Sequence, residues 1–459
     1  MEERWEAQAK LDEKVADLYY RTGTIDVAVS DDQTELPQAI SSGIAGQGID
    51  QDAALIMVRP FLRVSAPSDD EKEVRKANEL LEPWLAAVRK RSQIGSVEER
   101  QIHDLPLFGR GWSNLFPIPR MWADDGKFKD RLKDYLKLVD ERADEKDISE
   151  ARKSVDRYKR DHFPLRWRYV SPRGTWPQWS DEIHLPEVVE IRKLHKEDIE
   201  ADYGIDAVPA ELRSSPATQL IDVFVYTNWV WTVTLVAYRE NLKLVHEFEH
   251  GLGMSPYILM EAGVLNDDIK GRRWKSSLFH IIDTVVEHDK ILSDYAHNHH
   301  MNALRPVVSY HDPTALEGND PLIAGRPKSI SIKPGPETVP MWNTEKLELA
   351  PVPEINAQAV PFLSMLRERI DSAFLQPHLG GEAKSGESNV LYNTRFQISD
   401  RQFQKYMRAI SDGAEYWGKL AFRCVNAINI HFEPSEADEV YVISEEKGWL
   451  GVSPKDVEG

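Results

Sequence analysis

The sequence predicts an α+β fold. Apolar residues recur at helical spacing over long stretches near both ends of the chain, while the block 221–250 is rich in β-branched and aromatic residues broken by short polar turns. A length of 459 residues exceeds one simple core, so two or three domains are expected. With 41% hydrophobic and 29% charged residues, the composition is that of a soluble folded chain.

The elements follow in order. Residues 2–22 read as a helix with Trp5, Leu11, Val15, Leu18 and Tyr19 on one stripe. Residues 54–58 look like a buried helix end, and 61–64 like a strand after Pro60. Residues 70–92 form a second helix whose buried stripe is Leu80, Leu81, Trp84, Leu85 and Val88. The stretch 105–122 is aromatic and rich in Pro and Gly, and 126–162 is so densely charged that one or two solvated helices with i,i+4 ion pairs are expected. The runs 221–226 and 229–237 flank Thr227-Asn228 as a hairpin, and 242–250 follows as a third strand. A long helical pattern then spans 278–304, carried by Leu278, Ile281, Ile282, Val285, Val286, Leu292 and Tyr295, with Ser276 or Ser277 as its cap. After two short strands at 329–332 and 346–349, amphipathic helices cover 355–375 and 395–424, joined by a flexible glycine-bearing loop.

One motif invites a chemical reading. His246-Glu247-Phe248-Glu249-His250 is a literal H-E-x-x-H, the zinc-protease signature, and Gly253 extends it. The signature works on a helix, where positions i and i+4 are neighbours. Here Leu242, Leu244, His246, Phe248 and His250 alternate with Lys243, Val245, Glu247 and Glu249, which is the period of a strand. On a strand the two histidines stand about 13 Å apart, whereas zinc ligands must each reach the metal at about 2 Å. Pro256 occupies the place of the third histidine of the longer signature. No metal is therefore expected at His246, Glu247 and His250, and a zinc metallohydrolase is kept as the alternative function. A second cluster, His297, His299 and His300, sits at the end of the 278–304 pattern without a carboxylate or cysteine nearby to complete a site, and reads as a polar helix end. No phosphate-cradling glycine loop, dinucleotide fingerprint or nucleophile elbow is present, so neither a cofactor nor enzymatic activity is expected.

Charge and cysteine usage bound the partners. The chain carries 76 acids against 57 bases, a net charge of −19, which disfavours tight binding of nucleic acid because such binding runs on basic side chains displacing counterions. The single cysteine, Cys424, excludes an intrachain disulfide and a thiolate cluster, and suits a reducing cytoplasm. No apolar run approaches the length of a membrane span, and the acidic, amphipathic start of the chain does not read as a signal peptide.

Taken in order, the passages PFLRVSAPSDDEKEVRKANELLEPWL, FPLRWRYVSPRGTWPQWSDE with VVEIRKLHKEDIEADYG, HEFEHGLGMSPYILM with its H-x-x-G-x-x-P spacing, the long helix, the β insertion with Pro334-Gly335, and the loop GGEAKSGESNV before a last long helix resemble a bacteriophage portal protein. The matching order runs from about residue 50 to 430. The resemblance implies a portal-like fold. Residues 1–270 and 392–436 would form the wing, 275–303 and 353–375 the two stem helices, 304–352 a small β clip, 376–391 the tunnel loop, and 437–459 a short segment in place of a helical crown. The charged insert at 126–162 has no counterpart in that scheme.

The same resemblance implies a homo-dodecameric ring at one capsid vertex of the virion, assembled in the host cytoplasm, through which double-stranded DNA passes during packaging and ejection. Implied partners are the terminase large subunit, head-completion or adaptor and tail proteins, and the major capsid or scaffolding protein. The implied DNA-channel residues are Gly380, Gly381, Glu382, Lys384, Ser385 and Gly386 of the loop. Lys384 is either a transient phosphate contact or an exposed loop lysine. The acids Asp283, Glu287, Asp289 and Asp294 of the first stem helix are expected partly toward the channel or between neighbours. Twelve copies of a −19 chain carry −228, which suits a channel that guides a polyanion without gripping it. An acidic oligomeric scaffold unrelated to DNA is a further alternative.

Overall fold

The computed structural model describes residues 2–20, 41–66, 68–93, 95–117, 126–161, 163–178, 187–238, 241–267, 272–303, 307–310, 346–349, 359–375, 389–431, 440–444 and 448–457. The chain divides into two compact units. The larger comprises Met1–Ala16, Ile49–Phe279 and Leu375–Gly459; the smaller comprises Asp17–Gly48 and His280–Phe374. Both helices and sheets contribute, so the architecture is α+β.

The larger unit begins with helix α1, Glu2–Tyr20, which the chain carries on into the smaller unit; α2, Ile44–Ile56, likewise belongs to both. Residues 57–66 follow as an extended strip with no ladder partner among the described residues, correcting the strand expected at 61–64; Pro60 removes one of its donors. Helix α3, Glu71–Lys76, runs through one π turn, Ala77–Leu81, into α4, Glu82–Ser92. Only Glu82 separates the π turn from Pro83, which has no N–H to continue the ordinary ladder.

Helix α5, Val97–Phe108, and strand β1, Arg110–Pro117, were not legible in the pattern of apolar residues. Both bury polar groups, among them Glu98, Gln101, Asp104, Arg110, Ser113 and Asn114, and each group needs a partner that only the folded chain supplies. Arg110 is the clearest case. Its guanidinium pairs with Asp12 at 2.7 Å, donates to the Pro172 carbonyl at 2.8 Å and lies 4.2 Å from the Trp274 ring centroid. Gly109 separates the two elements at φ +74, and a Cβ there would meet the Lys275 carbonyl oxygen at 2.3 Å.

The charged stretch forms α6, Gly126–Asp140, and α7, Glu145–Asp161. It is not merely solvated. Tyr135, Val155 and Tyr158 are buried in the main core, which shows that a few apolar residues at helical spacing dock an otherwise charged pair. That core is organised by a 43-residue helix, Asn389–His431. Its Trp417, Leu420, Ala421, Cys424 and Ile428 recur at spacings of three and four and pack with Trp84, Leu115 and Trp167.

Two sheets complete the larger unit. Strand β2, Leu165–Val170, pairs with β1, which pairs in turn with β8, Tyr257–Glu261. The second sheet is an antiparallel succession of five strands: β3, Thr175–Gln178; β4, Glu187–His195; β5, Leu220–Asn228; β6, Trp231–Tyr238; and β7, Asn241–Glu249. One face packs Ile221, Val223, Val225 and Val236 against Ile199 and Val208. Glu190 of β4 ties the sheets together, taking Arg168 of β2 at 2.7 Å and the Tyr257 hydroxyl of β8 at 2.7 Å. Burial works against the Glu190 charge, but the Arg168 and Arg192 guanidiniums hold its carboxyl below the usual range. The segment expected to hold only a reduced crown forms a hairpin, Val440–Ser444 with Gly448–Val452, and a short helix, Pro454–Val457, whose Asp456 pairs with Lys76 at 3.1 Å.

The smaller unit holds the helix Ile282–Ala303, the antiparallel strand pair Val307–Tyr310 and Lys346–Leu349, and the helix Ala359–Asp371. The first of these helices starts later than the sequence pattern suggests, because Ser276 accepts from Leu278 N–H at 3.0 Å and residues 277–281 form a turn. The strand expected at 329–332 lies outside the described residues.

Candidate functional site

The helices Ile282–Ala303 and Ala359–Asp371 pack on one another, and the strand pair lies between them in sequence. Val307 stands opposite Leu349 and Tyr310 opposite Lys346, so the intervening chain is closed at its base. At 3.6 residues per turn, Asp283, Glu287, Lys290 and Asp294 fall within an arc of about 60°, and all four are exposed. Asp289 points elsewhere. It is buried, accepts from Ser42 N–H at 3.2 Å and from the Ser42 hydroxyl at 2.5 Å, and lies 3.3 Å from His288 Nδ1. It therefore does not share the exposed face of Asp283, Glu287 and Asp294; it pins the residues that lead into α2. The second helix buries Leu366 and Ile370 but leaves Val360, Phe362 and Met365 at 53%, 42% and 55% exposure. A helix with that much apolar surface in water is incompletely packed within one chain.

Gly380, Gly381, Glu382, Lys384, Ser385 and Gly386 lie outside the described residues. The structure does describe where that loop starts and ends. Its last described residue before the loop, Leu375, donates its N–H to Asp52 Oδ1 at 2.7 Å, and the 43-residue helix resumes at Asn389. Asp52 is buried, and among the described residues no group lies within ordinary hydrogen-bond geometry of its Oδ2. Burial pushes its carboxyl up to about 7, against the opposing pull of the Leu375 N–H, the Lys405 charge and the Ser277 hydroxyl. Burial also lowers Lys405. Ser277 and Tyr406 share a hydrogen bond of 2.9 Å beside them. No linear motif announces this anchor, since Asp52 and Leu375 are 323 residues apart.

The histidine motif lies on β7 and the residue after it. The expected alternation breaks there, because the ladder slips between Thr234 and Leu235. Leu244 opposes Leu235 and His246 opposes Thr234, leaving Val245 as the extra residue of a bulge. Leu242 and Leu244 consequently face away from His246 and Phe248, not with them. His246 is exposed, with its ring 6.0 Å from that of Tyr203 and 6.1 Å from that of Phe248. His250 is buried, its Nε2 2.9 Å from the Asn228 carbonyl oxygen and its Nδ1 accepting from Leu252 N–H at 3.3 Å. Both of its ring nitrogens are engaged in holding the β5–β6 turn and the following loop. Glu247 is exposed on the opposite face, beside Val233. His297, His299 and His300 sit on the end of the helix Ile282–Ala303, and their side chains lie outside the described residues.

Among the described residues, no group of three or more His, Cys, Asp or Glu is placed to hold a metal ion, and no helix is long and apolar enough to cross a membrane. Comparison with models of protein families and with curated protein sequences gave no match.

Proposed function

We propose that this chain is the subunit of a phage portal, a ring that forms the DNA channel at one capsid vertex and serves as the docking site for the packaging motor and for head-completion and tail proteins. The observation that carries the reading is the order of parts in the smaller unit: helix, antiparallel strand pair, helix, between a chain that leaves the larger unit at 279 and returns to it at 375. In the portal scheme these are stem, clip and stem, and residues 376–391 are the tunnel loop. Two further features support it. The exposed Val360, Phe362 and Met365 call for a neighbour, which a ring supplies. The exposed acids Asp283, Glu287 and Asp294 outnumber Lys290 on their stripe, and an acidic wall repels rather than holds a polyanion.

Imaging of the purified chain in negative stain tests the reading. A closed ring with a central channel is expected, twelvefold or close to it. A monomer at micromolar concentration under every salt condition overturns it, and a closed particle without a channel favours an acidic scaffold unrelated to DNA.

A further inference from the structure

The larger unit carries two exposed apolar surfaces of opposite charge. The first is the outer face of the five-stranded sheet. Residues directly opposed on neighbouring antiparallel strands point to the same side. The pairs Phe224↔Leu235, Tyr226↔Val233, Leu235↔Leu244 and Trp231↔Glu249 therefore share one face, turned away from the buried Val223, Val225 and Val236. On this face Trp231, Leu242 and Leu244 are 39%, 59% and 54% exposed, and Trp229 in the adjoining turn is 60% exposed. Its charged members, by the same pairing, are Glu187, Asp222, Glu247 and Glu249 against Lys193, a net of −3.

The second surface is the extended strip 57–66. Its sequence, MVRPFLRVSA, holds two arginines and no acid in a chain whose net charge is −19. Leu62 and Val64 turn inward onto the main core, while Phe61 stands 77% exposed with Met57 and Val58 at 38% and 46%. Arg59 and Arg63 flank Phe61 and are exposed. Arg59 meets Glu99 at 3.3 Å, but both side chains are largely in water, so that pair competes weakly with a desolvated one.

We infer that the strip of one copy docks on the outer sheet face of the next, with Phe61 over Leu242 and Leu244 and its arginines toward Glu247 and Glu249, on the Trp231 side of the face. Charge complementarity selects the occupant. Two sheet faces of −3 each repel one another, as do two strips of +2 each, whereas strip against sheet brings opposite signs together. The contact is with the face and not the edge, since the bulge at Val245 and the charges Lys243 and Glu247 make β7 a poor template for strand addition. A junction between two different surfaces is heterologous, and repeating it generates a ring or a filament rather than a closed dimer. That it closes into a ring rests on the portal reading.

The test uses the full chain, whose lone native Cys424 is fully buried and whose thiol burial pushes upward in pKa, so it does not react. The substitutions Phe61→Cys and Leu244→Cys are made singly and together, and assembled protein is treated with a short bismaleimide. The doubly substituted chain is expected to give a ladder of linked species, and each single substitution none. A linked dimer from Leu244→Cys alone overturns the inference in favour of face-to-face pairing. A wild type that images as a ring, with no ladder from the double variant, overturns the inference and leaves the portal reading standing. A ladder from a wild type that images as open filaments keeps the junction and removes the ring. As an independent arm, Arg63→Glu should raise the concentration at which the oligomer half-dissociates by about tenfold, and adding Glu247→Lys should restore it; no effect of Arg63→Glu, or no restoration, counts against the pairing.

Discussion

Replacing Asp52 by asparagine should stabilise the protein at alkaline pH and leave it unchanged in acid. The Asp52 carboxyl ionises near 3.8 in the unfolded chain and at about 7 in the folded one, because burial disfavours the charge more than its neighbours favour it. Well below pH 3.8 the group is neutral in both states and contributes nothing to the slope. Between about 4 and 7 the unfolded chain has already lost its proton while the folded chain keeps it, so stability falls as pH rises. Above 7 both states are ionised and the full cost is present. A shift of about three units corresponds to about 4 kcal/mol. Asparagine keeps an oxygen for the Leu375 N–H and never ionises, so it escapes that cost. Unfolding in urea followed by tryptophan fluorescence, from pH 4 to pH 9, gives the difference between the two proteins directly. Asp104, pushed up to about 8 mainly by its burial, titrates in both proteins and cancels in the difference. The difference should be smallest at pH 4, grow through pH 7 and then level off. A difference that does not vary with pH, or an asparagine variant weaker at pH 8, refutes the reasoning.

Two further outcomes are expected. Gly109→Ala should cost about 2–4 kcal/mol in the same urea measurement, combining a left-handed backbone with overpacking, since the new Cβ would sit 2.3 Å from the Lys275 carbonyl oxygen; a loss below about 1 kcal/mol would mean that the 275 backbone yields easily. His250→Ala should cost about 2–3 kcal/mol by stranding the Asn228 carbonyl and the Leu252 N–H, whereas Glu247→Ala should change stability by less than about 0.5 kcal/mol, and a chelator should alter neither; one tightly held zinc per chain, lost in Glu247→Ala, would restore the metallohydrolase reading.

What could be read from the sequence divides along a physical line. Trp417, Leu420 and Cys424 announce their helix because burial of one face is a local property that repeats with the helical period. The β5–β6 hairpin is legible for the same reason at period two, through Val223, Val225 and Val236. Helix α5 and strand β1 are not, because they bury polar residues that bond to each other, as Ser113 does to Gln101, or to distant segments, as Arg110 does to Asp12 and Gln101 to the Ile258 carbonyl. The bulge at Val245 is equally silent, since a strand's register belongs to the pair rather than to the strand, and a one-residue slip reverses which face each side chain takes. The acids make the same point. Asp289 looks like Asp283 and Glu287 in the sequence, yet Ser42 neutralises its hydrogen-bonding capacity while the other two remain in water.

The distribution of charge also constrains how copies of this chain can meet. The buried pair Arg110 with Asp12 and the half-buried pairs Arg168 with Glu190 and Arg89 with Glu98 each cancel, so they leave the net charge of −19 to the remainder of the chain. Copies carrying that charge repel at long range. At physiological ionic strength screening reduces interactions beyond about 8 Å, so the repulsion between whole subunits weakens while a close arginine–glutamate contact retains much of its strength. Assembly then depends on apolar surfaces whose local charge departs from the average, because only there do both terms favour contact. The strip 57–66, with two arginines and no acid, is such a surface, and its exposed Phe61 supplies the apolar part. The helix Ala359–Asp371 also exposes Val360, Phe362 and Met365, with Arg369 at i+4 from Met365, although its two arginines are balanced by Glu368 and Asp371. Both units therefore present apolar groups next to arginine. On the portal reading proposed above, once such surfaces held subunits together, the remaining acids, including the exposed Asp283, Glu287 and Asp294 against Lys290 on their stripe, would leave an excess of negative charge, the condition under which DNA would slide past a wall instead of adhering to it.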